Sequence, residues 1–303
     1  MTTEPALGVM FRCQYPPERL PAFARMAEAA GLDELWVVED CFFNGGISAS
    51  AVALASTERI TVGIGILPAV VRNAAYTAME LATLERIFPG RLHAGLGHGV
   101  ADWIQQVGEF PSSQLGALGE TTTAVRDLLA GGTVSTQGQH VQLDEVALDH
   151  PPAQERAPLV SLGVTGPRSL ALSGRVADGT ILVETTSPAK VTESMGHIAR
   201  GQAEAGLAGG PHRVTVLGFW SQGSETGSAL DMVSPIVEHY VRRPVGREEL
   251  PELAIAGTAA DCARAVRAYW ETGAQSVVLV PSTDAGVEEI AEGVRALRAA
   301  LDA

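Results

Sequence analysis

Positive charge and thiols are what this chain has least of. Lys190 is the only lysine among 303 residues, so arginine supplies nearly all the cationic charge and any mechanism needing a second lysine is excluded. Basic residues number 21 against 35 acidic ones, which leaves a net charge of −14. That deficit argues against nucleic acid or an anionic membrane surface as a partner, because phosphate binding rests on neutralising cations. Three cysteines, Cys13, Cys41 and Cys262, are too few and too scattered for a disulfide framework or a zinc site. An odd thiol count fits a reducing, cytoplasmic setting. The opening MTTEPALGV lacks the basic stretch and apolar run of a signal peptide. No apolar stretch approaches the ~18 residues of a membrane span. His140, His150, His212 and His239 have no metal-ligand spacing with one another or with cysteine, so no metal is expected.

What the chain does have is alternation. Candidate strands are Leu7–Arg12, Glu34–Glu39, Ile60–Ile66, Arg91–Gly97, Leu159–Gly163, Gly179–Glu184, Arg213–Trp220 and Ser276–Pro281. Runs such as LWVV, TILV and SVVLV are continuously apolar, as parallel strands covered on both faces are. Between them the apolar period becomes helical, with Leu20, Phe23, Ala27 and Ala30 on one face and Ala78, Leu81, Leu84 and Phe88 on another. The last helix carries Val287, Ile290, Val294, Leu297 and Leu301, with Asp284 as its expected N-cap.

Eight strands alternating with helices predict an α/β fold, a (β/α)8 TIM barrel of about 250 residues, here a single domain over residues 1–303. The surplus falls into insertions after strands 4 and 7. In the first, TVSTQGQHVQL reads as a hairpin turning at Gly138. Both insertions are expected near the active-site mouth. A doubly wound open sheet is the rival fold.

Three glycine-rich strand ends narrow the function. Gly95-Leu96-Gly97-His98-Gly99 closes the fourth strand, where glycines admit a ligand close to the backbone or simply make a tight turn. Gly163-Val164-Thr165-Gly166-Pro167-Arg168 follows the fifth; proline suits a first helical position, and the free amides there can receive a phosphate. An N-cap without a ligand is the plainer alternative. Gly63-Ile64-Gly65-Ile66-Leu67-Pro68 ends the third strand, where two glycines indicate a bulge or a layer of small side chains. Gly65-Ile66 is the expected irregular peptide beneath a flat ring.

The runs AEAAGLDELWVVED, ERITVGIGILPAVVRNAA, ATLERIFPGRLHAGLGHG, GVTGPRSLALSGRVADG and GTAADCARAV, in that order, resemble the bacterial-luciferase-like flavin and deazaflavin oxidoreductases. The likeness is greatest to the branch using coenzyme F420, which includes methylene-tetrahydromethanopterin reductase. It extends from about residue 7 to residue 300 and is looser within 103–157 and 221–255. The resemblance implies a cofactor ring across the carboxyl ends of the strands, backed by a non-proline cis peptide that maps onto Gly65-Ile66, with Leu67 beside it. It also implies a phosphate-bearing tail held by Gly163, Val164, Thr165, Gly166 and Pro167, and a loop of Gly97, His98 and Gly99 bordering the cofactor.

Hydride chemistry belongs to such a cofactor, and the protein adds position and a proton donor or acceptor. The candidates at strand ends are Asp40, His98 and Glu184, with Glu39 beside the first; Asp40 is also expected to touch the cofactor. Where the family often places histidine after the acidic residue, this chain has Cys41, read as pocket lining. Val100 follows Gly99 where sugar-phosphate dehydrogenases and methanopterin reductases carry an acidic residue, which argues against both substrates. Trp103 and Trp220 are expected to shape the substrate pocket or to pack in the core. Thr258 and Asp261 read as a capping box. The expected function is hydride transfer from reduced coenzyme F420 to a C=C or C=N bond of a small metabolite. An FMN-dependent monooxygenase and an F420-dependent alcohol dehydrogenase are the alternatives. The resemblance also implies a homodimer paired through barrel helices, with which an Ala-rich third helix is consistent.

Overall fold

The computed structural model describes residues 5–153 and 157–303. Eight parallel strands form the barrel: β1 (Ala6–Phe11), β2 (Glu34–Val37), β3 (Thr61–Ile64), β4 (Leu92–Gly97), β5 (Leu159–Gly163), β6 (Gly179–Leu182), β7 (Arg213–Gln222) and β8 (Ser276–Pro281). Neighbours pair in chain order, and the sheet closes where Ala6 pairs with Ser276 and Thr215 pairs with the same residue from the other side. The open-sheet alternative is thereby excluded.

Strand period two sorts the side chains into two cores. Leu7, Val9, Phe11, Leu35 and Val37 face outward against the helices, while Met10, Trp36 and Val38 face into the barrel with Leu217, Phe219 and Val278. The amino-terminal end of the interior carries a polar group. Glu34 Oε2 accepts from Trp36 Nε1 at 2.8 Å and Ser276 Oγ at 2.6 Å, and Glu34 pairs with Arg213. His93 Nε2 lies 2.7 Å from Ser161 Oγ, and burial pushes that histidine down to about 3, so it is neutral. It is a structural histidine.

The described residues contain eleven α-helices: α1 (Leu20–Ala29), α2 (Gly46–Ala55), α3 (Ala74–Ile87), α4 (Ala101–Gln106), α5 (Gln114–Leu129), α6 (Pro167–Val176), α7 (Pro188–Glu204), α8 (Thr226–Val241), α9 (Leu250–Leu253), α10 (Ala259–Glu271) and α11 (Val287–Leu301). None is long and apolar enough to cross a membrane. Thr258 and Asp261 form the expected capping box of α10. Asp284 does not cap α11. Gly286 holds that position, and Asp284 pairs with Arg19 at 2.9 Å.

The insertions lie where the spacing predicts, with α4, α5 and the hairpin Val134–Gln137/Gln142–Val146 after β4, and α8, α9 and α10 after β7. Glu120 of α5 accepts from the amides of His140 and Val141 at 2.7 and 2.9 Å, holding the turn beside a separate polar cavity of about 330 Å³.

Candidate functional site

The third strand stops at Ile64, two residues short of its apolar run. The Gly65–Ile66 peptide is cis, and Leu67–Pro68 then pairs with the end of β4. Glycines make room for this bulge from both sides. A Cβ on Gly63 would lie 2.3 Å from the Trp36 indole. Cβ atoms on Gly95, Gly97 and Gly163 would come within 3.1, 2.8 and 2.5 Å of the Ile66 side chain. Gly97 and Gly163 therefore seat Ile66 first, and the expected close approach of a ligand to their backbones is not what demands glycine there. Gly99 is required for its backbone, with φ of +70°.

Two cavities meet at the carboxyl ends of the strands, sharing Asp40, Ile66, Val100, Gly163 and Val183. The outer one, about 270 Å³, runs past His98, Gly99 and Trp103 to Val164, Thr165, Gly166 and Ser169. The deeper one, about 250 Å³, is bordered by Arg12, Cys13, Gly65, Glu184, Phe219 and Tyr240. α6 opens onto the outer cavity with Gly166 as N-cap, no side-chain cap and Pro167 in the first turn. A Cβ on Gly166 would meet nothing within 4 Å. The first-turn amides of a helix have no intrahelical acceptor, so this end can take an anion. The confluent cavity and the uncapped helix start fit a flat cofactor with an anionic tail.

Most of the expected site residues come together here. Among Asp40, His98 and Glu184, Asp40 borders both cavities, His98 the outer and Glu184 the deeper. Gly97, Leu67 and Pro167 do not border either. Leu67 is buried in the outer core, where a Cβ on Gly46 would press on its Cδ2. Trp103 lines the outer cavity, whereas Trp220 is buried against Gly293 of α11.

The electrostatics divide the candidates. Desolvation raises the Asp40 carboxyl, although the Cys13 thiol donates to Asp40 Oδ2 at 3.3 Å. Cys13 itself is pushed up to about 12, by burial and then by Asp40, so it is a thiol donor and not a thiolate. Desolvation also raises Glu184, and the Asp40 charge adds to that rise. Two carboxyls raised by burial thus face one cavity. Burial lowers His98, whose Nε2 lies 3.4 Å from Ser169 Oγ and whose ring also bonds the Gln114 backbone. With both partners on protein groups, the imidazole orients the loop.

Glu39 is a clamp and not a proton carrier. Its carboxylate takes both Arg72 guanidinium nitrogens and, at 2.8 Å, the Gly46 amide, which fixes the loop after β2 that carries Asp40 and Cys41. Arg12, Cys13, Ser169, Phe219 and Tyr240 join the site without any spacing that marks them. Tyr240 arrives from the end of α8, inside the less regular second insertion.

Residues 4–276 match the luciferase-like monooxygenase family. The chain belongs to that family. The chain is similar to a 5,10-methylenetetrahydromethanopterin reductase of Methanolobus tindarius, 29% identical over 200 residues, covering 66% of this chain and 60% of the relative. An F420-dependent glucose-6-phosphate dehydrogenase of Microbacterium testaceum is 29% identical over 194 residues, covering 60% of this chain and 57% of the relative. The chain thus spans somewhat under two thirds of the length of these two relatives. In fold, it superposes on an F420-dependent secondary alcohol dehydrogenase in complex with an F420-acetone adduct, with a TM-score of 0.85 at 21% identity over 98% of this chain and 100% of the other.

Proposed function

We propose that this protein is an F420-dependent oxidoreductase that reduces a C=C or C=N bond of a small metabolite. The observation that carries the reading is the pair of adjoining cavities, walled in common by Ile66, that lies between the Gly65–Ile66 bulge and the uncapped start of α6. Relatives named for F420 use support the choice of cofactor. When bound, a reduced deazaflavin supplies the hydride.

The chain's own residues would do the rest. Gly65 and Ile66 would back the ring, and Val164, Thr165 and Gly166 with the first-turn amides of α6 would hold the phosphate. His98 and Gly99 would border the ring edge, with Gly163 keeping Ile66 seated and Gly97, Leu67 and Pro167 shaping the wall from behind. Asp40 or Glu184 would donate the proton that accompanies hydride addition, because both border the deeper cavity and burial raises both carboxyls. The same groups run in reverse would serve an alcohol dehydrogenase. The apolar residues exposed on α3 support self-association as a homodimer.

Absorbance titration of the purified protein with coenzyme F420 and with FMN, separately, tests the assignment. Saturable binding of the deazaflavin and weak binding of FMN are expected. FMN binding with oxygen consumption in the presence of a flavin reductase would replace this reading by the monooxygenase one that the family name carries.

A further inference from the structure

Arg12 follows β1 directly and borders the deeper cavity with Asp40, Glu184, Phe219 and Tyr240. None of the ion pairs among the described residues includes it. Its charge still reaches the cavity wall: desolvation raises Glu184 and Tyr240, and Arg12 opposes that rise in both. The Tyr15 hydroxyl donates to the Thr283 carbonyl at 3.1 Å and bonds Arg12 as well, which steadies the side chain. A guanidinium carries five N–H donors, and no ion pair among the described residues takes any of those on Arg12.

The surroundings narrow what those donors can take. Burial raises both the Asp40 and the Glu184 carboxyls, whereas a guanidinium keeps its charge. Arg12 is the one basic residue in the lining of this cavity, in a chain whose net charge is −14. Met10, Leu217, Phe219 and Val280 supply apolar wall beside it. A planar guanidinium matches a carboxylate with two parallel hydrogen bonds.

We propose that Arg12 anchors the substrate, its guanidinium receiving the carboxylate of a small organic acid whose apolar body rests on Leu217 and Phe219. This deepens the oxidoreductase reading, on which it rests for the use of this cavity as the substrate pocket. Burial raises the Asp40 and Glu184 carboxyls, so each takes up a proton more readily beside a bound acid. No second base borders the cavity, which favours a singly charged carboxylate over a phosphate.

Calorimetric titration with benzoate, benzamide and inorganic phosphate tests the assignment on the full chain, with and without coenzyme F420. Saturable benzoate binding is expected, with benzamide and phosphate at least ten-fold weaker. Arg12→Gln should lose ten-fold or more in benzoate affinity, Arg12→Lys should recover part of it, and coenzyme titration of Arg12→Gln should match wild type. No benzoate binding to wild type, equal affinity for benzamide or phosphate, or undiminished benzoate binding by Arg12→Gln would each overturn the anchor. Arg12-dependent benzoate binding in a protein that takes up no F420 would instead overturn the cofactor reading and leave the anchor standing.

Discussion

The Ile66 side chain fills the space that Gly163 leaves open, so that a Cβ at 163 would stand 2.5 Å from Ile66 Cγ2. Ile66 borders both cavities, and its seat is therefore also the floor of the cleft. Gly163→Ala must displace Ile66 or β5. Overpacking of this kind costs about 1–3 kcal/mol. Coenzyme affinity should fall with stability, and Ile66→Ala in the same chain should restore part of the stability by removing the clashing methyl. Thermal unfolding of the two single variants and the double one decides the matter. Strictly additive losses would show that the two residues are not coupled.

That pair also marks how far the sequence can be read. Eight strands are legible because β-branched runs bounded by Gly and Pro leave few alternatives, and the third is overrun only because Gly65-Ile66 continues its apolar pattern. The glycines at 63, 95, 97 and 163 stand out in sequence, yet what occupies their space does not. Trp36 and Ile66 meet them across neighbouring strands, a matter of barrel register that local pattern does not carry. Asp40, His98 and Glu184 are visible as polar residues at strand ends. Their different partners are not, because Cys13, Ser169 and Tyr240 reach them through tertiary packing.

The start of α6 allows stability and binding to be driven in opposite directions. Gly166 is the N-cap with extended backbone, φ −78° and ψ 150°, which aspartate adopts freely. In Gly166→Asp the new carboxylate would cap the first-turn amides and favour the helix, by up to about 1 kcal/mol. It would also spend those amides and set a negative charge where the phosphate is proposed to lie. The expected result is an equal or higher melting temperature with at least ten-fold weaker coenzyme binding. Unchanged affinity would remove the α6 amides from the cofactor site.

Asp40 and Glu184 make stability depend on pH in a defined direction. Both carboxyls lie above their ordinary values in the folded chain, so the native state holds their protons more tightly than the unfolded one does. Their contribution is complete below the ordinary carboxylate range near pH ~4 and is lost as pH rises through the raised values. Asp40→Asn with Glu184→Gln removes both titrations without changing shape. The double variant should melt a few degrees higher than wild type, about what 1 kcal/mol gives at this size, at pH ~7, and should lose that advantage toward pH ~4. Glu28, Glu120 and Asp261 are shifted the other way, but they are common to both proteins and cancel in the difference. A constant gap in melting temperature across the range would contradict the assignment.

Self-association is the last expectation open to measurement. α3 exposes Tyr76, Met79 and Ile87 at 66, 47 and 61% of their surface, and Val52 of the adjacent α2 is 42% exposed. Residues 76 and 79 are one helical turn apart and lie on one face. Large exposed apolar patches mark interaction surfaces more often than solvent-facing ones. Light scattering coupled to gel filtration should give twice the chain mass of 31.6 kDa for wild type. Tyr76→Glu with Met79→Glu should give a monomer, because two charges buried face to face cannot be paired. These side chains make little intrachain contact, so the monomeric variant should keep its own fold within about 0.5 kcal/mol per substitution. A monomeric wild type, or a variant that remains dimeric, removes α3 from the interface.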